Sequence, residues 1–227
     1  TEIRSSAMHF GINVSILKYT ELLSESIQKM FQGKRNIESF IGQINPKNDY
    51  INNLSQLMIY TLFSMSKNLS WYSEHDYGEY IYASIFCDIG LDNQGLSHVQ
   101  GPSDEDYSFL KKSSRVDILQ HIDNTIEILR SSDRSFEREG EMIITHHEKP
   151  NGSGWPNGIV ESDMSERACA FNLVHEFSYR VLSRGRFSPE DINKIVLELK
   201  DDYGTGNFEV AYNALVYIVG EQLQSAS

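Results

Sequence analysis

Apolar residues recur at steps of three and four along almost the whole of this chain, and nowhere do they alternate over the length of a strand. That pattern restricts the fold to helices packed on helices, an all-α architecture. The spacing predicts helices over residues 12–31, 37–44, 50–67, 77–89, 118–129, 136–147, 165–182, 188–200 and 208–223. In the third of these, Leu54, Leu57, Met58, Leu62 and Met65 form one apolar stripe. Polar caps mark the starts: Ser103 before Asp104-Glu105-Asp106, Ser188 before Pro189-Glu190-Asp191, and Asp49 after Pro46. The Asn/Pro/Lys/Asp stretch 45–49 is the clearest boundary. It separates an N-terminal helical segment, residues 1–44, read as the end of a sensory or regulatory region, from a domain spanning 45–227.

Charge narrows the range of partners. The formal net charge is −12 and no Lys/Arg-rich patch occurs, which excludes nucleic acid as a partner, since phosphate backbones are held by clustered cations. A small anionic nucleotide stays open, because a metal can supply positive charge locally. No apolar run approaches the roughly 20 residues of a membrane span. Nor is there a basic segment followed by an apolar core of the kind that directs export. Cys87 and Cys169 both fall in apolar helical stretches, so the reading is reduced thiols in a cytoplasmic protein.

Residues 146–158, His-His-Glu-Lys-Pro-Asn-Gly-Ser-Gly-Trp-Pro-Asn-Gly, break the helical pattern. His146 and His147 can bring two imidazoles to one cation, while Gly152, Ser153, Gly154, Trp155 and Pro156 form a shaped loop beside them. Adjacent histidines at a helix end are otherwise ordinary surface residues interacting with the helix dipole. Trp155 is either a packing anchor for the loop or an aromatic platform for a nucleobase.

This segment resembles the signature of HD-GYP domains, the metal-dependent phosphodiesterases of bacterial cyclic di-GMP signalling, with Asn151 in place of an Asp and Trp155 in place of the name-giving Tyr. The resemblance runs over roughly residues 45–220. Lys47–Ser55 is similar to the family's opening stretch, and puts Leu54 where the first metal-binding His belongs. Cys87-Asp88-Ile89-Gly90-Leu91 is similar to its His-Asp-Ile-Gly-Lys, keeping the Asp and losing the His and the Lys. His121 opens a stretch like the third motif, 25 positions before His146. His175 falls where a last Asp ligand is expected, and Gly204–Glu209 loosely matches the closing Gly-Thr stretch.

What the resemblance implies is an HD-domain-like bundle of about seven to nine helices that hydrolyses cyclic di-GMP with metal-activated water. One or two transition-metal ions are implied, iron first, with manganese or zinc as alternatives. Asp88 bridges the ions. One takes His121, His146 and His147, all chemically intact, and the other takes Cys87 and His175 beside a Leu54 that cannot ligate. From the residues alone, Cys87 is a small core residue or a ligand, His175 a hydrogen-bonded core histidine or a ligand, and His75 or His98 could lend what Leu54 lacks. The alternative function is a catalytically impaired module that binds a nucleotide, or a signalling partner such as a diguanylate cyclase (GGDEF) domain.

Overall fold

Helices make up most of the described chain in the computed structural model, which describes residues 2–31, 37–44, 50–185 and 188–225. They are α1 (Glu2–Phe10), α2 (Val14–Phe31), α3 (Ile37–Ile41), α4 (Tyr50–Met65), α5 (Glu74–Phe86), α6 (Lys112–Arg130), α7 (Glu137–Thr145), α8 (Glu166–Arg184), α9 (Pro189–Glu198), α10 (Lys200–Tyr203) and α11 (Glu209–Ser225). Among the described residues there is no strand, only a single bridge between Asn151 and Val160. No described helix is long and apolar enough to cross a membrane. The expected all-α bundle is the observed fold.

Helices that are apolar on more than one side belong in the middle of a bundle. α4 buries Leu54, Leu57, Met58 and Leu62, but also Ser55, Ile59, Tyr60 and Thr61 on its remaining sides. α8 does the same from Ala168 to Ser178. The two pack along each other, with α5, α7 and α11 around them. Burying a side chain such as Phe171 or Phe177 is worth roughly 1.5–3 kcal/mol, so this pair anchors the domain. At the bundle's end, α5 and α8 are tied by Asp76, buried, which accepts from Arg167 Nε at 2.6 Å and from Ser73 N at 2.6 Å.

The N-terminal helices share this core. Ala7, Ile12, Ile16, Ile37 and Ile41 join the apolar cluster that holds Leu54 and Phe171. The buried guanidinium of Arg4 donates to Ile85 O at 2.5 Å and to Ser55 Oγ, which in turn donates to Ser84 O. The boundary at residues 45–49, with the Asp49 cap, lies outside the described residues, as does the His75 side chain.

α1 carries too short a pattern to be recognised by periodicity, though it falls within the expected N-terminal helical segment. One expectation fails. The Ser103 cap starts no α-helix: the Asp104 carboxylate accepts from Gln100 N at 3.0 Å and Asp106 N at 2.9 Å, which folds the segment into turns. Only one 3₁₀ turn, Asp106–Phe109, forms before α6 begins. Residues 87–111 are instead held by a satellite apolar cluster of Leu91, Leu96, Val99 and Ile118, with Trp155 packed against it.

Candidate metal centre

Asp88 lies in the turn that follows α5, and the turn is pressed directly against α6. Gly90 makes this approach possible: a methyl there would lie 2.4 Å from His121 O and 2.4 Å from Thr125 N. Gly90 N donates to Thr125 Oγ1 at 2.9 Å, and Asn124 Nδ2 donates to Gly90 O at 3.2 Å. These bonds set the carboxylate of Asp88 opposite the ring of His121. On the other side, α7 ends at Thr145, and Asn172 of α8 clamps the turn that follows. Its Nδ2 donates to Thr145 O at 2.6 Å and to Glu148 O at 2.8 Å. That clamp delivers His146 and His147 to the same point.

The ligand-type atoms of Asp88, His121, His146 and His147 all lie within 4.8 Å of one another. His121 Nε2 is 3.6 Å from Asp88 Oδ1, His146 Nε2 is 3.8 Å from the same oxygen, and the two Nε2 atoms are 3.5 Å apart. Each of these rings donates its Nδ1–H to a carbonyl three residues back, Ile118 O and Ile143 O, both at 2.6 Å. In the neutral rings Nε2 is therefore the lone-pair atom. Three electron-rich atoms thus face one another at distances too long for hydrogen bonds. A cation between them resolves the repulsion, and this donor set of imidazole nitrogen and carboxylate oxygen fits a transition metal.

The electrostatics agree with that fit. Burial alone would raise the Asp88 carboxyl, but a proton carried by the His146, His121 or His175 ring outweighs it and holds the group well below the usual carboxylate range, so that Asp88 stays ionised. Burial lowers His121, helped by His146 and opposed by Asp88. His147 is pushed well down by burial and by the neighbouring rings, and His175 falls to about 3 for the same reasons. Neutral imidazole and ionised carboxylate are the forms that coordinate metal.

His175 and Cys87 stand beside this group without joining it. The His175 ring, fully buried, lies 4.9 Å from that of His146 and 5.2 Å from that of His147. Cys87 Sγ lies 3.8 Å from Asp88 Oδ2 and 3.8 Å from Ser84 O, and burial pushes its thiol well up, so it is held as a thiol. Leu54 is buried in the main core. His98 meets Tyr50 edge-on at 6.4 Å rather than the cluster. Leu91 is packed into the satellite cluster, where a charged side chain has no place.

The loop after the histidine pair is organised by Glu148, a residue the sequence left without a role. Its buried carboxylate accepts from Asn157 N at 2.7 Å and Ile159 N at 3.1 Å, so one side chain gathers both ends of the turn. Gly154 passes against the backbone of Glu148 and Lys149, Ser153 N donates to Asn151 Oδ1 at 3.0 Å, and Pro156 is exposed. Trp155 turns back over the site, stacking on His147 with ring centroids 4.7 Å apart and planes 16° from parallel. Beside it opens a cavity of 390 Å³ lined by His146, His147, Tyr179 and Trp155, with Asp104, Glu105, Asp106 and Glu176 on the walls. The signal for Glu148 was its adjacency to the pair; nothing in the sequence pointed to Asn172 or Thr125.

No protein-family model and no curated protein matches the sequence. Among solved structures the chain is similar to Bd1817, described as an HDG"Y"P protein from Bdellovibrio bacteriovorus. The TM-score is 0.73, with 13% sequence identity, covering 96% of this chain and 68% of that one. At that identity the likeness is one of fold: the chain folds as an HD-GYP-like domain.

Proposed function

We propose that this chain is a divergent HD-GYP-type phosphodiesterase domain of a cytoplasmic signalling protein. It binds one or two transition-metal ions, iron first, and acts on cyclic di-GMP, with residues 1–44 as the segment through which a signal arrives. The observation that carries the reading is the set of lone pairs converging from Asp88, His121 and His146, completed by His147. These four residues would hold the ion. A divalent metal there supplies charge that offsets the phosphate oxygens and lowers the pKa of water. The chain's own contribution is orientation and exclusion. Carbonyls of Ile118 and Ile143 fix two rings, Asn172 fixes the turn that carries the pair, Trp155 covers one face of the His147 ring, and Asp88, His121 and His146 are buried.

Two observations favour the second reading, an impaired module that binds a nucleotide or a diguanylate cyclase domain. Leu54 and the protonated Cys87 leave a second ion poorly supplied. The cavity beside the cluster is walled by Asp104, Glu105, Asp106 and Glu176 against one lysine, Lys149, which opposes a dianionic substrate. Metal analysis of the purified protein with a cyclic di-GMP turnover assay separates the readings. Turnover that requires added manganese or iron and vanishes in His146→Ala supports the enzyme. Metal binding with nucleotide affinity and no turnover supports the module. A protein that takes up no iron, manganese or zinc overturns the enzyme reading.

A further inference from the structure

His121 and His146 are each oriented by a hydrogen bond from Nδ1 to a backbone carbonyl. His147 has no equivalent: among the described residues its ring makes no hydrogen bond, and it is the one member of the cluster that is not fully buried. What it has is an aromatic surround. Trp155 lies flat on one face at 4.7 Å, and the rings of His121 and His175 meet it edge-on at 5.3 and 5.2 Å.

The indole is itself fixed from outside the cluster. Trp155 Nε1 donates to Gln100 O at 2.8 Å. Gly101, with φ +110°, runs so close to the ring that a methyl there would lie 2.1 Å from Nε1. Trp155 N donates to His147 O at 3.2 Å, which sets the spacing between the two residues. Two loops, one before α6 and one after α7, therefore meet on the indole.

We infer that Trp155 is a positioning residue for His147: held by Gln100 and Gly101, its ring fixes the imidazole plane by stacking, the part that carbonyls play for His121 and His146. The inference rests on the metal-centre reading for its consequence and on stacking geometry for its substance. A tyrosine could stack on His147 but has no ring N–H to place at Gln100 O, so the Gln100–Gly101 receptor is matched to tryptophan. Stacking also assigns one indole face to the protein, which leaves a nucleobase at most the other.

The test has a metal-free arm and a metal arm. In metal-free protein, proton NMR should find the His147 ring protons shifted upfield by the indole current. The shift should disappear in Trp155→Leu and in Gly101→Ala, which displaces the indole without removing it. In the second arm, cobalt(II) alone is titrated, read by its visible absorption and by chelator competition. Trp155→Leu and Gly101→Ala should bind about 10–100-fold more weakly than wild type, the loss usual for removing such a support, and Trp155→Phe, which can stack but cannot bond Gln100 O, should fall between them and wild type. Wild-type His147 protons without an upfield shift overturn the inference whatever the variants do. So does a folded Trp155→Leu or Gly101→Ala protein with wild-type cobalt affinity and spectrum. A wild-type protein that shows the ring shift but binds no metal removes the metal-centre reading while leaving the positioning intact.

Discussion

Replacing Gly90 by alanine should separate Asp88 from His121 without touching either. The added methyl would lie 2.4 Å from His121 O and from Thr125 N, both backbone atoms that cannot rotate away. An ordinary contact needs about 3.5 Å, so the turn and α6 must part by about 1 Å. Asp88 Oδ1 and His121 Nε2 start 3.6 Å apart. Metal–nitrogen and metal–oxygen bonds near 2.1 Å let one ion span at most about 4.2 Å, and the parted pair, at roughly 4.6 Å, exceeds it. Overpacking of this kind costs about 1–3 kcal/mol. Weakening the Gly90–Thr125 bond adds about 1 kcal/mol. Loss of glycine freedom in the unfolded chain gives back up to about 1 kcal/mol. The net, about 2 kcal/mol, lowers Tm by roughly 4–8 °C at this length. Cobalt titration and thermal melts on Gly90→Ala and wild type measure both effects. Wild-type metal affinity in the variant would show that the approach of the turn to α6 does not set the site.

Glu148→Ala should lower Tm by about 10 °C, because two charge-assisted bonds to backbone N–H groups, together worth about 3 kcal/mol net, are lost; a fall under about 2 °C refutes this. The metal-free protein should lose stability as pH falls below the ordinary histidine value of 6.5. His175 is held down to about 3, so over that window the unfolded chain binds the proton and the folded one does not, and each such group removes about 1.4 kcal/mol per pH unit. Denaturant melts at pH 7, 6 and 5 read the slope, and a flat profile contradicts the buried neutral imidazole. Leu54→His combined with Cys87→His should raise metal content and cyclic di-GMP turnover together; a folded double mutant that holds more metal and stays inactive places the defect elsewhere.

The bundle was legible because α4 and α8 carry long apolar patterns whose period cannot serve a strand. The grouping of His121 with the 146–147 pair was legible through motif spacing: His121 lies on the buried side of α6, and the pair lies in the turn that ends α7. What sequence could not show is which way a helical side chain points once helices pack. Cys87 and His175 sit one ring or one atom away from the group, and that offset is decided by tertiary contacts rather than by position along the chain. Ser103 misled for a related reason. Its cap pattern is real, but the Asp104 carboxylate bonds the backbone on both sides and closes turns before a helix can propagate.

Burial of the cluster has a kinetic meaning. Asp88, His121 and His146 are 5%, 3% and 2% exposed, and Trp155 covers His147. An ion held there would reach and leave the three buried groups from the side of His147 and the adjoining cavity, so its exchange rate would depend on how often the indole lifts from that ring, separately from how tightly the ion is bound. Cobalt titrations would then need readings taken until they stop changing, since slow exchange can be mistaken for weak binding.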